Sequence, residues 1–163
     1  MGQLIVPSIS KAEIARNAWP SLGEQVIWFI QKWCTFGPGS LKGEQARLNA
    51  DQQEFIMRAY EHFPRGHARE GRRRFQRVNL SVRKGSAKTE LMAWIAFAEL
   101  HPEAPVRFNG YKDDGTLAWG RGVRDPYIPL LAATQEQVAE LAYGALMVMC
   151  EEHPVYFDVS LER

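Results

Sequence analysis

The sequence predicts an α/β fold in which helices flank a parallel sheet. Segments of strand and helix character alternate through the second half of the chain, in the order strand, loop, helix, excursion, strand, helix, strand. That order is typical of βαβ units with right-handed crossovers. Because 163 residues suit a single core, we expect a helical amino-terminal segment, residues 1–70, packed on a βαβ unit, residues 71–163.

Two amphipathic helices are predicted in the first half of the chain. Ser21 and Glu24 form a capping-box pattern, and the apolar residues that follow keep a helical period until a Gly-Pro-Gly turn. A second helix is predicted from Asn49, with Gln52 as its capping partner, to about Phe63. Because its apolar residues share one face, we expect it to pack on the sheet.

Two further helices are predicted in the second half. The segment TELMAWIAFAEL, residues 89–100, is apolar almost all round, which suits a helix that is covered on several sides and ends at His101. Thr134 and Gln137 form a capping-box pattern that opens the last helix. We expect that helix to end at His153.

Short segments of strand character lie between and after these helices. In VNLSV, residues 78–82, apolar residues alternate with polar ones, as in a strand with one buried face. Asp114 and Gly115 mark the turn of a hairpin within a glycine-rich excursion. Three more strands are predicted at 106–108, 127–133 and 155–161.

Charge is balanced over the chain but concentrated locally. The 20 basic and 19 acidic side chains exclude a uniformly basic surface as the means of binding nucleic acid. One cluster has few acidic neighbours, so we expect it to be exposed: Arg72, Arg73, Arg74 and Arg77. The cluster has two interpretations, contact with the phosphates of duplex DNA or a solvated run of charge.

The cysteines and the lengths of the apolar segments bear on location. Cys34 and Cys150 each lie in an apolar helical pattern without the CxxC spacing of metal sites, so we expect buried thiols in a reducing compartment. The amino-terminal apolar run is too short for a signal peptide, and no later run reaches the length of a membrane span. The sequence therefore predicts a soluble, cytoplasmic protein with no membrane partner.

The segment VRKGSAKTE, residues 82–90, carries the main functional signal. It joins a predicted strand to a predicted helix, where a phosphate-binding loop places backbone N–H groups, a lysine and a hydroxyl around a phosphate and Mg²⁺. Lys88 and Thr89 match the end of the pattern GxxxxGKS/T, but Val82 and Ala87 stand where that pattern has glycines. The alternative is a cationic turn that opens a helix, with both side chains solvated.

The order of features from residue 72 to 143 resembles the amino-terminal ATPase region of tailed-phage terminase large subunits, the DNA-packaging motors. The similarity is carried by RRRFQRVNLSVRKGSAKTELMAWIAFAEL and by APVRFNGYKDDGTLAWGRGVRDPYIPLLAATQEQVAELAY. In that family the loop often has an early arginine and a small residue before the lysine, which Arg83 and Ala87 match. The resemblance runs from about Trp19 to the end of the chain and implies an incomplete ATPase core of the P-loop NTPase type.

The resemblance also implies roles in binding ATP and Mg²⁺. Lys88 would hold the β and γ phosphates, Thr89 would ligate Mg²⁺, and Arg83 would stabilise the charge that develops during phosphoryl transfer. Arg83 and Lys88 are thus the implied catalytic residues. Gln53 matches a family glutamine that reads adenine, and a solvated glutamine on a helix face is the alternative. The rest of the loop would surround the phosphates with N–H groups and positive charge: Lys84, Gly85, Ser86 and Ala87.

ATP hydrolysis also needs a Walker B strand that ends in acidic residues, and two segments imitate one. Glu151 and Glu152 follow apolar residues that continue a helical period, which favours a helix end. Asp158 follows three apolar residues, but no second acid comes after it, which favours an ordinary strand. In the family the Walker B strand and the nuclease domain come later in the chain. Because loss of a positioned general base costs about 10²- to 10⁴-fold in rate, we expect little hydrolysis.

The resemblance implies three partners: double-stranded DNA, the small terminase subunit and the portal protein. A motor ring needs a portal platform, so we expect the isolated fragment to be a monomer in the cytoplasm of a host cell. The alternative function is a non-enzymatic remnant or assembly module of the same ancestry that binds no nucleotide.

Overall fold

The computed structural model describes residues 19–131 and 142–157. Within these ranges the chain forms four helices, joined by turns and irregular segments: α1 is Gly23–Trp33, α2 is Ala50–Ala59, α3 is Lys88–Leu100 and α4 is Ala142–Glu152. All four lie where the sequence predicts helices. No helix in this part of the chain is long and apolar enough to cross a membrane.

The predicted parallel sheet is wrong. Residues 19–131 and 142–157 contain only isolated antiparallel bridges and no strand, so the described fold is mostly helical. Residues 78–82, the predicted first strand, do not pair with any other described segment, and Val78 and Val82 are 46% and 36% exposed. Their alternation with polar residues therefore does not mark a buried face.

The other predicted strands are not found in the described residues either. Residues 106–108 contribute one bridge, between Arg107 and Arg121, while 127–131 and 155–157 have neither strand nor bridge. A strand needs a neighbour that exchanges backbone hydrogen bonds with it, and these segments have no such neighbour among the described residues. The remaining predicted features lie outside the described residues: 132–133, Thr134, Gln137 and 158–161.

The helix starts show which capping patterns operate. At α2 the Asn49 side chain accepts from the Gln52 backbone N–H at 2.9 Å, and the Gln52 side chain accepts from the Asn49 N–H at 3.0 Å, so the predicted capping box is confirmed. The predicted box at α1 is wrong, because that helix begins at Gly23 without a side-chain cap. Instead, the Ser21 hydroxyl accepts from the Gly23 N–H and donates to the Met57 carbonyl, which joins the start of α1 to α2.

The core surrounds α3, whose Trp94 and Phe97 are fully buried. α1 and α4 pack on α3, and α2 packs on α1 in place of the predicted sheet. The Trp94 indole N–H donates to the Thr35 carbonyl at 2.9 Å, which fixes the segment after α1 against α3. Cys34 and Cys150 are buried free thiols, as predicted. The other large, fully buried side chains are Tyr60, Phe29, Leu22, Ile30, Ile56, Leu91, Met149, His62, His101 and Val26.

Gly37, in the loop between α1 and α2, is wedged between α3 and α4. Its N–H donates to the Glu90 carboxylate in the first turn of α3 at 3.2 Å. A Cβ at position 37 would lie 2.5 Å from the Cβ of Ala145 in α4, so only glycine fits there. The first turn of α3 is therefore held in place from the side that faces α4.

The glycine-rich excursion forms a short hairpin against α1. Two antiparallel bridges enclose the turn at 114–115, as predicted. The Gln25 side chain of α1 donates to the Ala118 carbonyl at 3.1 Å and accepts from the Gly120 N–H at 2.8 Å. These two hydrogen bonds dock the hairpin on the helix.

Candidate phosphate-binding loop and the adjoining groove

The predicted phosphate-binding loop, residues 83–89, turns sharply into the first turn of α3. Gly85 has a φ of 85° and Ala87 a φ of 49°, so two of its residues lie in the left-handed region. The Ser86 hydroxyl donates to the Arg83 carbonyl at 2.9 Å, which closes the turn. The chain therefore forms a sharp corner directly before α3.

Ala87 is the one non-glycine residue with positive φ in the described part of the chain. A Cβ in this conformation costs roughly 1–2 kcal/mol, and strain of this kind concentrates at ligand sites. Ala87 is also the N-cap residue of α3, and its side chain has no oxygen to accept a hydrogen bond from the first turn. The loop thus presents N–H groups at the positive end of a helix, an arrangement that binds anions.

The charged side chains of the loop are free to meet an anion. Arg83, Lys84 and Lys88 are exposed, and none of them forms an ion pair with another described residue. Lys88 and the half-buried Thr89 line one end of an open groove of about 600 Å³. The structure therefore brings the predicted loop residues 83–89 together at one corner, with a concavity beside Lys88.

The predicted metal ligand of the loop is Thr89. The Thr89 hydroxyl is the kind of oxygen ligand that Mg²⁺ takes together with phosphate oxygens and water. Among residues 19–131 and 142–157, no group of three or more His, Cys, Asp or Glu side chains is placed to hold a metal ion. Glu151 and Glu152 end α4, as their helical period predicts. Binding of a phosphate and of Mg²⁺ by this loop stays a prediction.

Gln53 makes its described contact away from the loop. Its side-chain amide donates to the Leu48 carbonyl at 2.8 Å, at the start of α2. Gln52 is engaged in the capping box. The adenine-reading role of Gln53 stays a prediction.

Arg73 belongs to an ion network at the far end of α3. Glu99 accepts from Arg73 at 2.7 Å and from the Tyr60 hydroxyl at 2.8 Å through one oxygen, and its other oxygen lies 2.7 Å from Arg107. The Arg73 guanidinium also lies over the Tyr60 ring, 4.2 Å from its centroid. Burial by itself lowers the pKa of Arg73, but the Tyr60 and Glu99 oxygens outweigh it and raise that pKa. Arg73 is therefore a permanent cation with a structural partner.

Arg74 is engaged in the same way, since its guanidinium lies 2.7 Å from the carboxylate of Glu61, just after α2. The prediction that the whole arginine cluster is exposed is therefore wrong for Arg73 and Arg74. Both are half-buried, and each is paired with a carboxylate from a residue distant in sequence. Arg72 and Arg77 are exposed and form no ion pair with a described residue. These two remain available to a polyanion.

His62 lies at the edge of this network and is 1% exposed. Its Nδ1 donates to the Tyr60 carbonyl at 2.7 Å. Burial lowers the pKa of His62 to about 4, and the nearby cations Arg73 and Arg107 act in the same direction, against the carbonyl. The imidazole is therefore neutral at physiological pH.

Sequence reasoning missed the groove beside the loop. Lys88, Met92, Ile95 and Glu99 line it from one face of α3, and residues 75–80 form one wall. Met92 is 45% exposed, so the helix is covered on several sides, as predicted, but not on this face. The spacing of these four residues in the sequence shows that they share one face of the helix. It does not show which other residues lie opposite that face.

Comparison with known proteins relates part of the chain to a phage protein. The chain is 36% identical over 83 residues to the "Terminase, large subunit" of Enterobacteria phage HK97. The likeness supports a relationship to DNA-packaging terminases. It covers 50% of this chain but 15% of the HK97 terminase, so the chain spans well under one fifth of that relative. No protein-family model matches the chain, and no solved structure matches it.

Proposed function

We propose that the chain binds the phosphates of ATP, with Mg²⁺, through residues 83–89, as a portion of a terminase large subunit. The observation that carries the proposal is the left-handed Ala87, which leads directly into the uncapped first turn of α3 with Lys88 at its start. The partial likeness to the HK97 terminase large subunit supports it. The free cations of the loop supply the charge that a triphosphate needs.

Each group in the loop has a separate task in this proposal. The N–H groups of the corner and of the first turn of α3 contact phosphate oxygens, and the Lys88 ammonium neutralises the outer phosphates. The Thr89 hydroxyl gives one oxygen to Mg²⁺, and Arg83 places its charge on the terminal phosphate. We expect little hydrolysis, because Glu151 and Glu152 end a helix and do not follow a strand.

The terminase relationship extends the proposal to three partners: double-stranded DNA, the small terminase subunit and the portal protein. Arg72 and Arg77 are the proposed DNA contacts, because both are exposed and unpaired within the described residues. Contact with backbone phosphates needs only such free cations and no reading of bases.

A titration with a fluorescent ATP analogue and Mg²⁺ tests nucleotide binding. Lys88→Ala removes the ammonium group but keeps a good helix former at the first position of α3. Lys42→Ala, at an exposed site between α1 and α2, is the matched control. We expect saturable binding by the wild type and by Lys42→Ala, and binding at least about tenfold weaker by Lys88→Ala, because a charge-assisted contact is lost.

Thr89→Ala separates the metal from the phosphate contacts. It should reduce the dependence of binding on Mg²⁺ more than it reduces the binding measured without Mg²⁺. Equal, weak binding by the wild type, Lys88→Ala and Lys42→Ala would instead identify a non-enzymatic remnant or assembly module that takes no nucleotide.

A further inference from the structure

An apolar groove runs along the outer face of α3 and begins at Lys88 and Thr89, at the end of the phosphate-binding loop. Met92 and Ile95 of α3 line it, together with residues 75–80, residues 129–131 and Tyr143 of α4, and its volume is about 600 Å³. Met92 and Tyr143 are 45% and 37% exposed although both are large and apolar. Apolar surface gathered in one concavity marks a binding site, whereas scattered apolar residues do not.

One wall of the apolar groove has unused main-chain hydrogen-bonding groups. From residue 75 to 82, no N–H or C=O group bonds to another backbone group in the described part of the chain. Residues 77–83 contain no helix, turn or bend, so the chain runs open and roughly straight there. Such a segment can pair its backbone with an extended peptide, while Val78 and Leu80 line the pocket for alternate side chains of that peptide.

The dimensions of the apolar groove match one extended peptide. Helix α3 has 13 residues, so it is about 20 Å long. Lys88 and Glu99, near its two ends, both line the groove, which therefore follows almost the whole helix. Since an extended chain advances about 3.3 Å per residue, about six residues would fill the groove along its length.

The charge around the apolar groove selects the occupant. Four exposed cations at or near its wall form no ion pair with a described residue: Arg77, Arg83, Lys84 and Lys88. A second copy of this chain would bring those cations against their own counterparts, and like charges placed opposite each other oppose association. We propose that the apolar groove binds an extended segment of a partner protein in which acidic residues alternate with apolar ones.

A dye-labelled peptide of about six residues, with glutamate alternating with valine, tests this proposal. Met92→Glu places a carboxylate on the lining of the groove, at a site that is 45% exposed and so tolerates the change. Leu41→Glu, at a site that is 44% exposed between α1 and α2, is the matched control. We expect fluorescence anisotropy to show saturable binding by the wild type and Leu41→Glu, and binding at least about tenfold weaker by Met92→Glu.

A second variant and the salt dependence keep the test independent of folding. Arg77→Glu reverses one exposed charge on the wall of the groove but leaves the apolar lining residues Met92 and Ile95 in place. It should also weaken binding, and added salt should weaken it further. Circular dichroism checks that each variant keeps the wild-type helix content. Met92→Glu leaves every residue of the phosphate-binding loop in place, so it should lose peptide binding and keep nucleotide binding. Measuring both on this variant distinguishes failure of this proposal from failure of nucleotide binding.

Four results would overturn the proposal. The first is no binding of the glutamate peptide by the wild type, and the second is equal binding by the wild type and Met92→Glu. The third is equal binding of a peptide with lysine in place of glutamate. The fourth is evidence for a different occupant. Either the wild type forms a dimer in sedimentation without peptide and Met92→Glu does not, or the wild type binds duplex DNA and Met92→Glu does not.

Discussion

The Glu99 carboxylate lies 2.7 Å from Arg73 through one oxygen and 2.7 Å from Arg107 through the other. One acid on α3 therefore holds two arginines that come from segments before and after the helix. Through Arg73, it also anchors the chain that leads into the phosphate-binding loop.

Removing that charge should destabilise the fold. Glu99→Gln leaves Arg73 largely buried without its counter-charge, so we expect the free energy of unfolding to fall by about 3 kcal/mol. Glu54→Gln is the comparison, because the Glu54 carboxylate is 40% exposed and lies 3.6 Å from Arg58, farther than Glu99 lies from either of its arginines, so its loss should cost less. Urea denaturation measures both. Similar losses in the two variants would contradict the structural role of Glu99.

The left-handed corner gives a matched pair of glycine and alanine changes. Ala87→Gly relieves the strain at φ 49° and should stabilise the fold by about 1 kcal/mol, whereas Gly85→Ala adds a Cβ at φ 85° and should destabilise it by a similar amount. Thermal unfolding measures the two shifts. A loss of stability in Ala87→Gly would show that the observed corner is not the conformation in solution.

The buried histidine should make stability depend on pH. The pKa of His62 is about 4 in the folded chain and about 6.5 unfolded, so the unfolded state binds more protons between those values. The contribution of His62 to stability is therefore complete well above pH 6.5, and stability should fall by about 3 kcal/mol as the pH drops to 4.

Chemical denaturation at several pH values measures this slope. His62→Gln keeps a donor for the Tyr60 carbonyl but does not titrate, so its slope should be smaller. Some slope should remain, because burial also lowers the pKa of His101. A slope identical to that of the wild type would show that groups other than His62 cause the loss of stability in acid.

The division of the arginine cluster predicts unequal effects on DNA affinity. Arg77→Ala should weaken duplex binding and reduce the slope of log affinity against log salt by about one, because one phosphate contact is lost. Arg74→Ala should lower stability through the loss of its Glu61 pair and leave that slope unchanged. Filter binding at several salt concentrations measures both. A change of slope in Arg74→Ala, or in neither variant, would exclude this assignment.

Local signals in the sequence were sufficient to predict the helices. The Asn49 and Gln52 cap and the helix end at His101 involve groups within four residues of each other. Both partners of each interaction therefore lie in one short stretch of sequence. The corner at Lys88 was predictable for the same reason. The left-handed conformation of Ala87 was not, because alanine has no preference for it.

Long-range pairing is what the sequence did not reveal. The alternation at 78–82 is real, but a strand also needs a partner chain, and the described residues provide none. Arg73 and Glu99 lie 26 residues apart, so nothing near Arg73 indicates that it is paired. The exposure of Met92 likewise depends on what stands opposite α3, which no helical period encodes.

Gly37 connects the first turn of α3, next to the phosphate-binding loop, to α4. Its N–H donates to the Glu90 carboxylate of α3, and its Cα packs closely against Ala145 of α4. A shift of the first turn of α3 would therefore reach α4 through this peptide as well as through the direct packing of the two helices. The two helices would therefore move as one unit.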